Sequence, residues 1–103
     1  MIPIATKGDY IITFEAEPEH IGMRHHFIKE CAWSEKDYRK LRDSRPAWFC
    51  AKIAVWYDGQ EIGTSYLGCC CYETEEQFWR SSEYIPQMID EAVEEADKAR
   101  GLL

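Results

Sequence analysis

The dipeptide Asp58-Gly59 separates two long runs, residues 48–57 and 60–72, that are rich in aromatic and β-branched side chains. Asp-Gly accepts the positive φ angles of a two-residue type I′ turn, whose twist matches that of the strands it joins. The chain is therefore expected to be built on a central antiparallel hairpin. Pairing outward from the turn sets Val55 opposite Ile62, Ile53 opposite Thr64 and Ala51 opposite Tyr66; with Phe49 and Cys70 these make one apolar face. The other face carries Trp48, Cys50, Lys52, Ala54 and Trp56 opposite Cys69, Leu67, Ser65, Gly63 and Glu61. It is half polar, and is expected to be partly exposed or covered only by a long connection. Gly63 and Gly68 remove side chains from the returning strand, as happens at a bulge or where another backbone comes close.

A chain of 103 residues has room for one core, so a single domain, 1–103, is expected. Tyr10, Ile12, Phe14 and Ala16 alternate with Ile11, Thr13, Glu15 and Glu17, the period of a strand with one buried face, and Pro18 ends it. Residues 19–33 fit neither helical nor strand period and read as a long connection. Ser34 is a good N-cap for a short helix over 35–43, with Tyr38 and Leu41 inward and Lys36, Arg39, Lys40 and Arg42 outward. Glu35, Asp37 and Asp43 dilute those bases, so the helix reads as a solvated mixed-charge face rather than a nucleic-acid site. Thr74 and Gln77 form a capping box, Pro86 suits the first turn of a further helix, and Gly101 is a natural terminator. Between them Ile85, Met88, Ile89, Ala92, Val93, Ala96 and Ala99 recur as one apolar stripe. The fold expected is α+β: a three-stranded antiparallel sheet (10–17, 48–57, 61–72), one short helix, and a C-terminal amphipathic helix packed on one sheet face.

The five cysteines, Cys31, Cys50, Cys69, Cys70 and Cys71, are odd in number and lack an export signal, so a disulfide framework is not expected. Along a strand Cys69 and Cys71 share one face and Cys70 the other. The paired spacings of a zinc site are missing, although His20, His25 and His26 could complete a ligand set with Cys69 and Cys71; neither metal nor cofactor is expected. The fingerprints of nucleotide, hydrolase and zinc-protease chemistry are lacking too, and Cys31 with His25 and His26 nearby offers only generic pieces. A non-enzymatic protein is expected. No apolar run approaches the roughly eighteen residues of a membrane span, so no membrane partner and a cytoplasmic location are expected.

Nineteen acids and twelve bases give a formal charge of −7, which argues against direct nucleic-acid binding. Residues 73–103 hold nine of the acids and three of the bases, a net of −6. At about 100° per residue, Asp90, Glu94 and Asp97 form one helical row with Glu91 and Glu95 beside it, all expected opposite the apolar stripe. A polar outer face is what any amphipathic helix needs. Carboxylates roughly 6 Å apart also approximate the spacing of backbone phosphates, which would let them fill a nucleic-acid-binding groove.

Ala47-Trp48-Phe49-Cys50, Asp58-Gly59, the stretch YLGCCCYETEEQF, Tyr84 and Met88-Ile89-Asp90-Glu91-Ala92 together resemble a pattern in small proteins of bacteriophages and prophages. In that pattern a Trp-rich strand, an L-G-x-C-x-Y strand and a Y-x-x-x-M-x-x-E-A helix follow one another; it covers about residues 47–96. The resemblance implies a phage setting, in which small acidic α+β proteins include anti-CRISPR and other anti-defence inhibitors. The function expected on that basis is inhibition of a host defence protein, such as a CRISPR effector subunit. Asp90, Glu91, Glu94, Glu95 and Asp97 would supply charge, and Trp56, Trp79 and Tyr84 aromatic anchors. The alternative is a structural or regulatory homo-oligomer, a homodimer for instance, joined through the hairpin face that carries Trp48 and Trp56.

Overall fold

In the computed structural model, which describes residues 1–103, the hairpin predicted around Asp58-Gly59 is the centre of a four-stranded antiparallel sheet. Its strands are β1 (Ile2–Lys7), β2 (Tyr10–Glu17), β3 (Ala47–Tyr57) and β4 (Gln60–Tyr72), in the order β1-β2-β3-β4. Asp58 and Gly59 have φ of 51° and 77°, both positive as a type I′ turn requires. The class is α+β as expected, but the sheet has four strands rather than three. Lys7 pairs with Tyr10 across Gly8-Asp9, and Gly8, at φ 57°, supplies the first central residue of a tight hairpin turn. Pro3 is tolerated because β1 is an edge strand, where a missing N–H can face solvent.

The register of β4 differs from the one read outward from the turn. Val55 lies opposite Gly63, Ile53 opposite Ser65 and Ala51 opposite Leu67, because a bulge at Ile62 advances the strand by one residue. Its cause is visible on the neighbouring helix: a Cβ at Gly63 would fall 2.1 Å from the Ala92 carbonyl oxygen. Only glycine lets that helix approach, and the bulge brings Gly63 beneath it. A second irregularity, with Gly68 and Cys69 opposite Cys50, returns Cys70 to the core beside Phe49. Cys71 pairs with Trp48 on the other face, and Cys69 occupies the bulge at φ 54°. Tyr66, expected inward, is 55% exposed.

The helices follow their caps. Ser34 Oγ accepts from the Asp37 N–H at 3.1 Å and opens α1 (Glu35–Asp43), which buries Tyr38. Thr74 Oγ1 accepts from the Gln77 N–H at 3.0 Å and opens α2 (Glu75–Ser81). Gln77 Oε1 reaches back to the Glu73 N–H, one residue earlier than the usual box. The last helix, α3 (Tyr84–Ala99), ends in a Schellman motif: Gly101 N–H donates to Lys98 and Leu102 N–H to Asp97. Its buried residues are Ile85, Met88, Ala92, Val93 and Ala96; Ala99, assigned to the stripe from sequence, is exposed. Residues 19–33 are not a plain connection, since His25–Glu30 form a π-helix.

The core lies between the sheet and α2–α3. Phe14, Phe49 and Phe78 meet there with ring centroids 5.6–6.1 Å apart, in tilted and edge-to-face arrangements favoured by the ring quadrupole. The opposite sheet face is covered at one end by the π-helix and open at the other, as its half-polar pattern predicts. The Cα trace measures 51 × 22 × 20 Å. No helix is long and apolar enough to cross a membrane.

Candidate functional site

Of the residues expected to form a binding surface, the structure brings some together on α3 and separates others. Glu94 and Glu95 are exposed on the outer face, with Lys98 Nζ 3.5 Å from Glu94. Asp90 is also exposed and faces Lys7 of β1 at 3.7 Å. Glu91 and Asp97 do not lie opposite the apolar stripe, because each turns back to the sheet along one flank of the helix. Glu91 Oε2 accepts from the Ser65 hydroxyl at 2.9 Å, while its Oε1 accepts from Gln87 at 3.1 Å. Asp97 Oδ1 accepts from the Tyr10 hydroxyl at 2.5 Å. The row of five carboxylates is thus divided: two clamp the helix to the sheet, and three remain turned to solvent.

Where α3 meets the β4 edge, Tyr66, Leu67, Tyr84, Gln87, Met88 and Glu91 line an open concavity of about 240 Å³. Tyr84 is 47% exposed and its backbone N–H is held by Ser82 Oγ at 3.2 Å. Tyr66 enters this groove because of the register shift, and no reading of regular alternation would have found it. Trp79 is half-buried against the core, with the Arg80 guanidinium 4.8 Å from its ring centroid. A groove floored by methionine and leucine, flanked by two tyrosines and edged by the single carboxylate of Glu91 can hold an aliphatic side chain, with the tyrosine rings open to a neighbouring cation.

Trp56 belongs elsewhere. It points to the opposite sheet face, where its Nε1 donates to Thr13 Oγ1 at 2.9 Å. There it joins Met1, Pro3, Ile11 and Thr13 in a second open groove of about 280 Å³, bordered by Asp9, Asp58 and Gly59. Farther along this face Trp48 packs under the π-helix, its Nε1 donating to the Ile21 carbonyl at 2.9 Å and its ring 5.4 Å from His26 and 5.9 Å from Phe27.

That end of the sheet is held by Glu19, which sequence reading did not single out. Its carboxylate accepts the Cys69 N–H at 2.7 Å and the Ile21 N–H at 3.1 Å. These two backbone donors hold the Glu19 carboxyl below the usual carboxylate range, Cys69 contributing most. Lys52, whose charge is held by Glu61 at 2.8 Å, has its ammonium pKa raised by that hydrogen bond. No group of three or more His, Cys, Asp or Glu side chains is arranged to hold a metal ion. Comparison with known protein families, curated proteins and solved structures gave no match.

Proposed function

We propose that the protein is a stoichiometric, non-enzymatic inhibitor of phage or prophage origin that acts in the host cytoplasm. In this reading it docks through α3 on a basic, nucleic-acid-binding surface of a host defence complex, a CRISPR effector subunit being the type case. The observation that carries it is the tyrosine-flanked groove of Tyr66 and Tyr84 between α3 and β4, on a helix that also exposes Asp90, Glu94 and Glu95. Exposed carboxylates on this helix would steer a basic partner, whose cations replace Lys7 and Lys98 beside Asp90 and Glu94, and the apolar slot would anchor it. Asp97 and Glu91 serve this surface by fixing the helix that displays it, and Trp56 lies outside it.

Capture from a bacterial lysate tests the reading, with the protein as bait, washes of rising salt and identification by mass spectrometry. A basic nuclease or effector subunit should be retained, elute as salt rises, and be lost from the variant Asp90→Asn/Glu94→Gln/Glu95→Gln. Equal retention by that variant would remove α3 from the interface.

The open groove of Met1, Pro3, Ile11 and Trp56 favours a second reading, a homo-oligomer joined through that sheet face. Sedimentation at micromolar concentration separates the two, since self-association that Trp56→Ala abolishes would support the oligomer.

A further inference from the structure

The segment His25-His26-Phe27-Ile28-Lys29-Glu30-Cys31 carries a chemistry that the acidic helix does not use. In an α-helix a residue five positions on lies about 140° around the axis from the first. Here the winding is π, the Cys31 N–H donating to the His26 carbonyl at 3.0 Å, and that wider turn brings the fifth residue back over the first. Cys31 Sγ consequently sits 3.6 Å from His26 Nε2, while His26 Nδ1 is 3.2 Å from Glu30 Oε1. A carboxylate can only accept, so the Nδ1 contact places the ring proton there and leaves the Nε2 lone pair toward the thiol. The imidazole is seated against Trp48 and edge-on to Phe27, 5.4 and 4.9 Å between centroids.

Nucleophile, base and orienting carboxylate are thus in line, the arrangement that activates a thiol. Cys31 also differs from the other four cysteines by being exposed. Burial raises the thiol pKa of Cys50, Cys69 and Cys71, and pushes Cys70 up to about 11.

We propose that Cys31 is a thiol-modification site for small soluble disulfides of the glutathione disulfide class, with His26 as its general base and Glu30 as the residue that positions the imidazole. Cys31 Sγ attacks one sulfur of R–S–S–R as its proton passes to His26 Nε2. The Cys31 Sγ–S bond forms as the S–S bond breaks. The departing thiolate takes the proton from His26, leaving a mixed disulfide on Cys31 and one equivalent of RSH. Cys31 is oxidised and the departing sulfur reduced, so no further oxidant is needed. The site lies on the sheet face opposite α3, so its test is independent of the acidic surface.

The reduced, full-length protein is treated with oxidised glutathione at neutral pH and followed by intact-mass and peptide mass spectrometry. One glutathionyl group should add to Cys31, about tenfold faster than to the same residue in the urea-unfolded chain. His26→Ala should slow the reaction about tenfold, and free imidazole should restore it. Glu30→Gln, which keeps an acceptor for Nδ1, should retain the rate that Glu30→Ala loses. Addition at another cysteine first, a native rate no faster than the unfolded one, or an unchanged rate in His26→Ala would each overturn the proposal. The comparison of native and unfolded wild type decides the matter even if a variant fails to fold.

Discussion

Tyr10 and Asp97, 87 residues apart in the chain, share a 2.5 Å hydrogen bond that joins the first core strand to the last turn of the last helix. The Arg100 guanidinium donates to the same phenol oxygen at 3.3 Å and lies 3.9 Å from the Tyr57 ring centroid. The arrangement closes the sheet–helix sandwich at one corner.

That bond gives the molecule an alkaline limit. Donation to Asp97 raises the Tyr10 pKa above its ordinary value of 10.0, with desolvation adding to the effect. A folded-state pKa above the unfolded one means that the native chain binds more protons in that window. The stabilisation is therefore complete below pH 10 and is lost as pH rises through the raised value. Asp97→Asn should lower the ionisation pH of Tyr10 in an ultraviolet titration, with Tyr10→Phe identifying the transition, and should flatten the alkaline fall in urea midpoint. Superimposable titrations would disprove the coupling.

Gly63→Ala should be among the most damaging single-methyl additions in the chain. The new Cβ would meet Ala92 O at 2.1 Å and Ala96 N at 2.9 Å, backbone atoms that cannot rotate away. Overpacking of this kind costs about 3 kcal/mol or more. Urea unfolding measures it, and a loss well under 1 kcal/mol would show that α3 can slide on the sheet.

Phe78→Ala should destabilise by about 4 kcal/mol, since a fully buried ring is removed from the centre of the core. Calorimetry of the variant checks this. A much smaller loss would show that α2 is peripheral rather than part of the sandwich.

Glu19 should control the end of the sheet covered by the π-helix. Its pKa is lowered by the Cys69 and Ile21 amides, so its contribution to stability is present above the unfolded value of about 4.5 and disappears as pH falls through the depressed one. The protection factor of the Cys69 amide, its exchange rate relative to that of the unfolded chain at the same pH, should fall on acidification and already be low at neutral pH in Glu19→Ala. Persistent protection at Cys69 in that variant would assign the ordering to other contacts.

The parts of the fold legible in the sequence are those set by local chemistry. Asp58-Gly59 specified its turn, Ser34 and Thr74 their caps, and Gly101 the end of α3, because each acts on backbone groups within a few residues. What escaped depends on contacts remote in sequence. The bulge at Ile62 answers to Ala92 and Ala96, and it moved Ser65 inward and Tyr66 outward. β1 was overlooked because Pro3 masks a strand that is allowed only at an edge. The acidic row looked uniform because helical geometry orders the residues around the axis but does not show how far Ser65 and Tyr10 reach across the helix flanks. Cys31 stood out as close in sequence to His25 and His26, but its contact with His26 was illegible for a different reason: it depends on π rather than α winding of one turn.

The carboxylate of Glu19 also bears on how copies of the chain meet. β4 is a thirteen-residue edge strand whose one charged residue is Glu61, the kind of border on which open-ended sheet stacking begins. Glu19 has already engaged the Cys69 amide, at a residue whose positive φ interrupts the extended backbone. A strand from a second molecule can therefore follow this border only as far as the kink. Acid that protonates Glu19 should release the Cys69 amide and loosen this end of the border, so association through the β4 edge should begin in the same pH range in which Cys69 protection fails.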